Sequence, residues 1–266
     1  MMNKKSSAKA VKKFAGLIFC GFILFIVIYP VAILILKSFY PKNNLGESQF
    51  TLSEIIKTVL LSDLFWEGIS GTIYYVFFIV LPQAAIGTIM AFVFAKFKFR
   101  FKNAVLFIYF LLLLLPFQVL MVPSYITLKK IGLLNTPGAV ILPQIFLPFG
   151  VLFLRYLIAK IPNSVIDAAK IDGASNIHIF LQIIIPSVKN GIILLFFFSF
   201  IDTWNLAEPI IMFDKESGIK TLTVIIRGLM ENSPENVYAA GFLYMIPTVI
   251  IFLFIRKNII QGMDLT

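Results

Sequence analysis

The sequence predicts an all-α membrane protein of six transmembrane helices. Three observations carry that reading. Of the 266 residues, 59% are hydrophobic and 14% charged, where a soluble domain is roughly half apolar and a quarter charged. The apolar residues fall in uncharged runs: Phe14–Leu36, Gly68–Ala95, Asn103–Leu128, Ile131–Leu154 and Asn236–Ile255. Each supplies the ~20 residues a helix needs to cross the hydrocarbon core. A sixth run, Asn190–Phe213, is as long but holds Asp202 and Glu208. Charge is also unevenly placed. With a cytoplasmic N-terminus and six alternating spans, fifteen of the 23 Lys and Arg fall inside, against three of the 13 acids. That is the positive-inside bias. It accounts for the net charge of +10 as a topology signal and leaves no need for a nucleic-acid partner. Lys129 and Lys130 run against the trend, in a short outer loop.

Residues 1–13 form a cytoplasmic tail holding Lys4, Lys5, Lys9, Lys12 and Lys13. Residues 14–36 are the first span. A signal peptide has an apolar core of about 7–15 residues and a small-residue cleavage site; this run is longer and ends in Lys37-Ser38-Phe39-Tyr40, so it reads as uncleaved. The lone cysteine, Cys20, reads as an apolar filler of that span. Residues 37–67 form an outer loop with turns at Pro41 and Asn43-Asn44-Leu45-Gly46. Within it, the spacing of Ile55, Ile56, Val59, Leu60 and Leu64 predicts a surface helix over Thr51–Trp66. Residues 68–257 form a core of five spans, and 258–266 a second cytoplasmic tail. Pro30, Pro82, Pro116, Pro143, Pro148 and Pro247 lie in the spans. Proline removes a backbone donor and bends a helix, tolerable in a membrane where neighbours or a cavity satisfy the freed groups. Bent walls suit a pathway better than an anchor. Tyr74, Tyr75 and Tyr125 read as interface-belt aromatics.

The long inner connection, 161–186, predicts two short helices. Pro162 suits a helix start, and Val165–Ile171 propagates well. Gly173 permits a turn that a Cβ would resist, and Ser175 caps a second helix over Asn176–Ile185, ending before Pro186. Small residues at such a bend let another protein approach closely.

Asp167-Ala168-Ala169, three residues, Gly173, nine residues, then Ile183-Ile184-Ile185-Pro186 resembles the coupling-loop motif of binding-protein-dependent ABC importer permeases. Asp167 stands where that family usually has Glu, and Ile185 where Leu is commoner. Pro123-Ser124-Tyr125, Gly132 to Thr136, Leu142-Pro143, Ile161-Pro162, Thr203-Trp204-Asn205, Glu208-Pro209 and the ending Arg256 to Met263 resemble the carbohydrate branch, typified by the smaller permease of the maltose importer. The resemblance implies an ABC importer permease fold whose coupling loop (Asp167, Ala168, Ala169, Gly173, Ile183, Pro186) sits on a separate ATPase subunit. It implies a dimer of ATP-binding subunits, a second and different permease, an extracytoplasmic solute-binding protein, and inward- and outward-open states that alternate. No G-x-x-x-x-G-K-[ST] loop occurs in the sequence. This chain is therefore expected to bind no cofactor, with ATP and Mg on the ATPase partner, and not to be an enzyme.

An acid at a span's centre costs about 2.5–3.5 kcal/mol on insertion scales, so Asp202 and Glu208 need a reason. In a continuous helix Asp202, Asn205 and Glu208 share one face, with Trp204 adjacent. An aromatic with hydrogen-bonding groups suits a hydroxylated solute, and Gln118 is a further candidate, as are Gln83 and Gln144. The structural alternative is that these groups bond to other helices or lie near the surface. His178, the only histidine, has no partners spaced for metal or catalysis. A secondary transporter or channel is the main rival reading; it would carry coupling charges deep in several spans, and five of the six runs have none.

Overall fold

A computed structural model describes residues 2–41, 49–60, 62–232 and 237–263. The turn expected at Asn43–Gly46 lies outside them. Every regular element among the described residues is a helix. They are α1 (Met2–Phe39), α2 (Ser53–Leu60), α3 (Asp63–Lys96), α4 (Lys102–Leu114), α5 (Phe117–Lys130), α6 (Pro137–Ile145), α7 (Pro148–Ala159), α8 (Asn163–Ile171) and α9 (Asn176–Ile179). A π-helical turn (Phe180–Ile184) and α10 (Ile185–Ser187) follow, then α11 (Lys189–Trp204), α12 (Glu208–Phe213), α13 (Leu222–Asn232) and α14 (Val237–Met263). Four stretches, Gly16–Phe39, Asp63–Lys96, Pro137–Ala159 and Val237–Ile259, are long and apolar enough to span a bilayer, and up to six if each of two bent pairs is one span.

Two compact units divide the described residues. One comprises those within Met1–Ser62 and Leu229–Met245. Its long helix α1 is exposed from Phe14 to Tyr29 wherever its side chains are described. It is held near its C-terminal end: Lys37 Nζ donates to the Tyr238 hydroxyl at 3.0 Å, and the Ser38 hydroxyl lies 2.7 Å from the carbonyls of both Leu34 and Tyr238. Phe39 packs edge-on against Phe242. Cys20 is a free thiol on the exposed surface of α1, not a buried one. The surface helix is shorter than its periodicity predicts. Leu64 and Trp66 belong to α3, which starts at Asp63, an acid favoured in a helix's first turn.

The second unit comprises the described residues of Asp63–Gly228 and Ile246–Thr266. It is organised around α3. Near the N-terminal end of α3, Tyr75 and Ile79 form a core with Leu128, Ala139, Val140, Leu206, Ile210 and Phe213. Near its C-terminal end, Ala91 and Phe92 join Leu154, Leu157, Ile158, Ile166, Ile179, Ile184, Val188 and Leu195. So α11, which runs from Val188 and Leu195 toward Leu206 and Ile210, lies antiparallel to α3. Glycines set the approach distances. A Cβ at Gly71 would lie 2.1 Å from the Lys220 carbonyl oxygen, and one at Gly191 would lie 2.3 Å from a Leu157 methyl.

The prolines act unequally. Pro82, Pro123, Pro143 and Pro247 lie inside helices that continue. Pro116 follows an extended Leu115, as a residue before proline prefers, and the chain bends by 109° there between α4 and α5. Tyr75 is not a belt residue. It is fully buried and its hydroxyl donates to Asp214 Oδ2 at 3.0 Å.

Candidate functional site: a helix pair and an interrupted span

The helix pair forms where the sequence places it, with two adjustments. Pro162 precedes α8 as its N-cap instead of sitting inside it. The second helix does not stop before Pro186: a π turn over Phe180–Ile184 leads into α10, which contains the proline. The wider turn gives the ring room that an α-helical carbonyl four residues back would occupy. The bend between the helices is a Schellman motif. Gly173 N donates to Lys170 O at 3.0 Å and Ala174 N to Ala169 O at 2.9 Å, with Gly173 at φ +82°. Ser175 Oγ then accepts from His178 N at 3.2 Å, capping α9.

This pair is fastened to the spans. Ile166, Ile179 and Ile184 are buried in the core shared with α3, α7 and α11, with Ala169 and Ile183 half-buried against it. Lys96, the last residue of α3, donates to Ile161 O at 2.5 Å and Asn163 Oδ1 at 3.0 Å. Its outer face is open. Asp167, Ala168, Gly173 and Pro186 are exposed, and a cavity of about 540 Å³ is lined by Ala169, Asp172, Gly173, Ala174, Ser175, His178 and Ile183. Ile171 and Ile177 flank the bend at 87% and 72% exposure. The sequence reading did not single these two out; isoleucines on either side of a glycine bend, off the buried face, are the signal.

The run Asn190–Phe213 does not form one helix. α11 ends at Trp204, and α12 starts at Glu208 with Pro209 in its first turn. Asp202, Asn205 and Glu208 therefore do not share a helix face as their spacing predicts. The break is built. Asn205 Nδ2 donates back to Ile201 O at 2.7 Å, Thr221 Oγ1 donates to Leu206 O at 2.7 Å, and Thr223 Oγ1 to Trp204 O at 2.9 Å. The two threonine bonds supply donors to carbonyls at and just past the helix end, while Ile201 O also accepts from Asn205 N at 3.1 Å. Asp202, Asn205 and Glu208 are exposed. Gln118 Nε2, from the start of α5, donates to Glu208 Oε2 at 3.2 Å. The Asp202 carboxylate makes no hydrogen bond among the described residues. Trp204 is 4% exposed and stacks on Phe200 at 5.3 Å, so its ring is not available to a solute at this surface. The structure thus brings Gln118 to Glu208, keeps Asn205 in the break, and turns Trp204 inward.

The sequence pattern of the binding-protein-dependent transport system inner membrane component family matches residues 83–265. The chain belongs to this family. It is the membrane-spanning permease of an ABC importer, and its similarity to known permeases extends beyond the matched region. It is 27% identical over 256 residues to the arabinooligosaccharides transport system permease protein AraQ of Halalkalibacterium halodurans, covering 91% of each chain. It is 28% identical over 206 residues to the sn-glycerol-3-phosphate transport system permease protein UgpE of Shigella flexneri, covering 75% of this chain and 73% of that one. Its fold matches a chain of a bacterial ABC transporter involved in the import of alginate, with a TM-score of 0.81 at 19% identity over 94% of this chain and 97% of the other.

One further permease residue escaped the sequence reading. Asp214 is 5% exposed and accepts from the Tyr75 hydroxyl, from Ser217 Oγ at 2.6 Å and from Ser217 N at 3.2 Å. Beside it, Asn135 N donates to Phe213 O at 2.8 Å. The run Asp214-Lys215-Glu216-Ser217-Gly218 has the form of a local side-chain-to-backbone turn; nothing in it shows that Tyr75, 139 residues away, would close the site.

Proposed function

We propose that this permease forms one half of the pathway for a sugar, an oligosaccharide or a related polyol, paired with a second, different permease. An extracytoplasmic binding protein delivers the solute, and a dimer of separate ATPase subunits holds ATP and Mg. The helix pair 161–186 is the cytoplasmic lever seated on one ATPase subunit, which places both termini of this chain in the cytoplasm. This chain carries no ATPase site of its own.

The observation that supports this best is the two-sided build of the helix pair. Three isoleucines and the Lys96 bonds fix it to the spans, so it moves with them as one body. Small residues and two apolar side chains, Ile171 and Ile177, face away. Rigid elements with two discrete placements are how force passes between packed bodies. A solute of hydroxyls fits the exposed amide and carboxylate groups of Gln118, Asn205 and Glu208. The solutes that AraQ and UgpE are named for, arabinooligosaccharides and sn-glycerol-3-phosphate, both carry hydroxyl groups.

The test is purification of the chain from its native membrane in mild detergent, with mass spectrometry of what accompanies it. Co-recovery of an ATPase subunit and a second permease is the expected result. Recovery of the chain alone, or only with copies of itself, overturns the docking role of the helix pair. Gly173→Asp should leave insertion intact and abolish ATPase retention; full ATP-driven uptake in that variant overturns the lever.

A further inference from the structure

The span built from α6 and α7 is interrupted at Phe146 and Leu147. Both leave the helical region: Phe146 at φ −90° and ψ 88°, then Leu147, extended at φ −92° and ψ 103°, and Pro148 opens α7. A continuous helix would give the Gln144 carbonyl the N–H of residue 148, which proline lacks. Gln83 supplies the donor instead. Its Nε2, from the middle of α3, donates to Gln144 O. Gln83 is 4% exposed, so this is a bond made in the protein interior, where an unmade one is costly.

The other end of the same amide points to a second contact. Gln83 Oε1 is buried without a hydrogen-bond partner among the described residues, and so is Ser199 Oγ on α11. Ser199 is fully buried. Its hydroxyl departs from those of Ser38, Thr72, Thr88, Thr127 and Ser187, which donate to the carbonyl four residues back. The register of the helices puts Gln83 and Ser199 at the same level. Gly87 of α3 faces Leu195 of α11, a Cβ there lying 3.7 Å from the leucine methyl, and Leu195 also abuts Gly150 of α7. One turn along these antiparallel helices, in the same direction, brings Gly87 to Gln83, Leu195 to Ser199, and Gly150 to the break.

We propose that Gln83 is the positioning residue of a polar hinge in this permease. Its amide holds the α6–α7 span open at Phe146–Leu147 by standing in for the N–H of Pro148. Its oxygen is tied to the Ser199 hydroxyl through one buried water. The hinge joins α3, α7 and α11 directly beyond the core that carries the helix pair, where a pivot between the lever and the far half of the span would be needed. It is a property of this chain alone; only its response to nucleotide rests on the importer reading.

The test uses spin labels at Leu142→Cys and Tyr156→Cys, exposed positions on α6 and α7, in a Cys20→Ser background and in the full assembled complex. The native span should give one narrow distance. Gln83→Leu should broaden it, because Gln144 O loses its donor while Pro148 still prevents a continuous helix. Adding Pro148→Ala should restore a narrow distance, shorter by about 3–4 Å, since two non-helical residues revert to helical rise. An unchanged distribution in Gln83→Leu, or a double variant broader than the single, overturns the hinge. For the water, Ser199→Ala and Gln83→Leu should each lower the melting temperature of the complex, and the pair together by no more than the larger single effect. Additive losses overturn the shared contact. Finally, ATP, Mg and vanadate should shift the native distance and leave the Gln83→Leu/Pro148→Ala distance fixed. A shift in that double variant equal to the native one overturns the pivot role. No shift in the native complex likewise overturns the pivot role, while the nucleotide-free distances still decide the hinge's geometry.

Discussion

Alanine at Gly71 and alanine at Gly87 are the same chemical change in the same helix, and they are expected to have opposite effects. Helix propensity favours alanine by about 1 kcal/mol at either site. At Gly87 the new Cβ would meet only a Leu195 methyl at 3.7 Å, an ordinary contact, so the variant should be as stable as the native chain or more so. At Gly71 the Cβ would sit 2.1 Å from the Lys220 carbonyl oxygen and 3.0 Å from its carbon. That neighbour is backbone, and no change of rotamer relieves it. The segment 219–222 must lift from α3, at the roughly 1–3 kcal/mol typical of overpacking. Lifting also breaks the bond from Leu222 N to Thr72 Oγ1, 2.8 Å and buried, at about 1–3 kcal/mol for the stranded groups. After the helix gain, about 3 kcal/mol of destabilisation remains, on the order of 6–12 °C in melting temperature for a chain of this size. Thermal unfolding of the detergent-solubilised protein, followed by tryptophan fluorescence, reads both variants. A Gly71→Ala protein as stable as Gly87→Ala would refute the close approach of the 219–222 segment to α3.

Three other outcomes follow from contacts already described. Ile171→Asp and Ile177→Asp should each weaken retention of the ATPase subunit at least about tenfold, the equivalent of ~1.4 kcal/mol, with no change in membrane insertion; retention at the native level in both would remove these side chains from the docking surface. Asp214→Ala strands the Tyr75 hydroxyl and two donors of Ser217, and should cost about 2–4 kcal/mol of stability, while Tyr75→Phe should cost less because Asp214 keeps its Ser217 bonds; equal losses would show that the tyrosine bond dominates. Asn205→Ala with Glu208→Gln should lower binding-protein-dependent uptake in reconstituted vesicles, whereas Trp204→Ala should act mainly through stability, as for a buried aromatic; native uptake with both polar groups replaced would take them out of the pathway.

Much of the architecture could be read from run length, because crossing hydrocarbon imposes a length on any helix that does it. The helix pair was legible too, since Gly173, Ser175 and the prolines act through local backbone geometry that a few neighbours determine. What the sequence hid was where a run breaks. Asn190–Phe213 reads as one apolar stretch; Pro209 marks where it can break, but the Thr221 and Thr223 hydroxyls that satisfy the Leu206 and Trp204 carbonyls come from a later segment. The partner of Gln83 was hidden for the same reason, being a backbone carbonyl 61 residues away. Spacing shows which side chains could share a face; it does not show that a distant hydroxyl or amide has taken over a carbonyl. Trp204 illustrates the cost, placed beside a solute by its neighbours in sequence and turned inward by Phe200.

The exposed first helix has a consequence for biogenesis. From Phe14 to Tyr29 its described side chains are exposed, and its contacts with α14 begin at Leu34, whose methyl would lie 3.1 Å from a Cβ at Gly241. A helix of that kind can enter the bilayer as soon as it leaves the ribosome, without waiting for later segments to give it a surface. Its side chains then answer to the lipid's demand for apolarity and little else, so one apolar residue there serves as well as another.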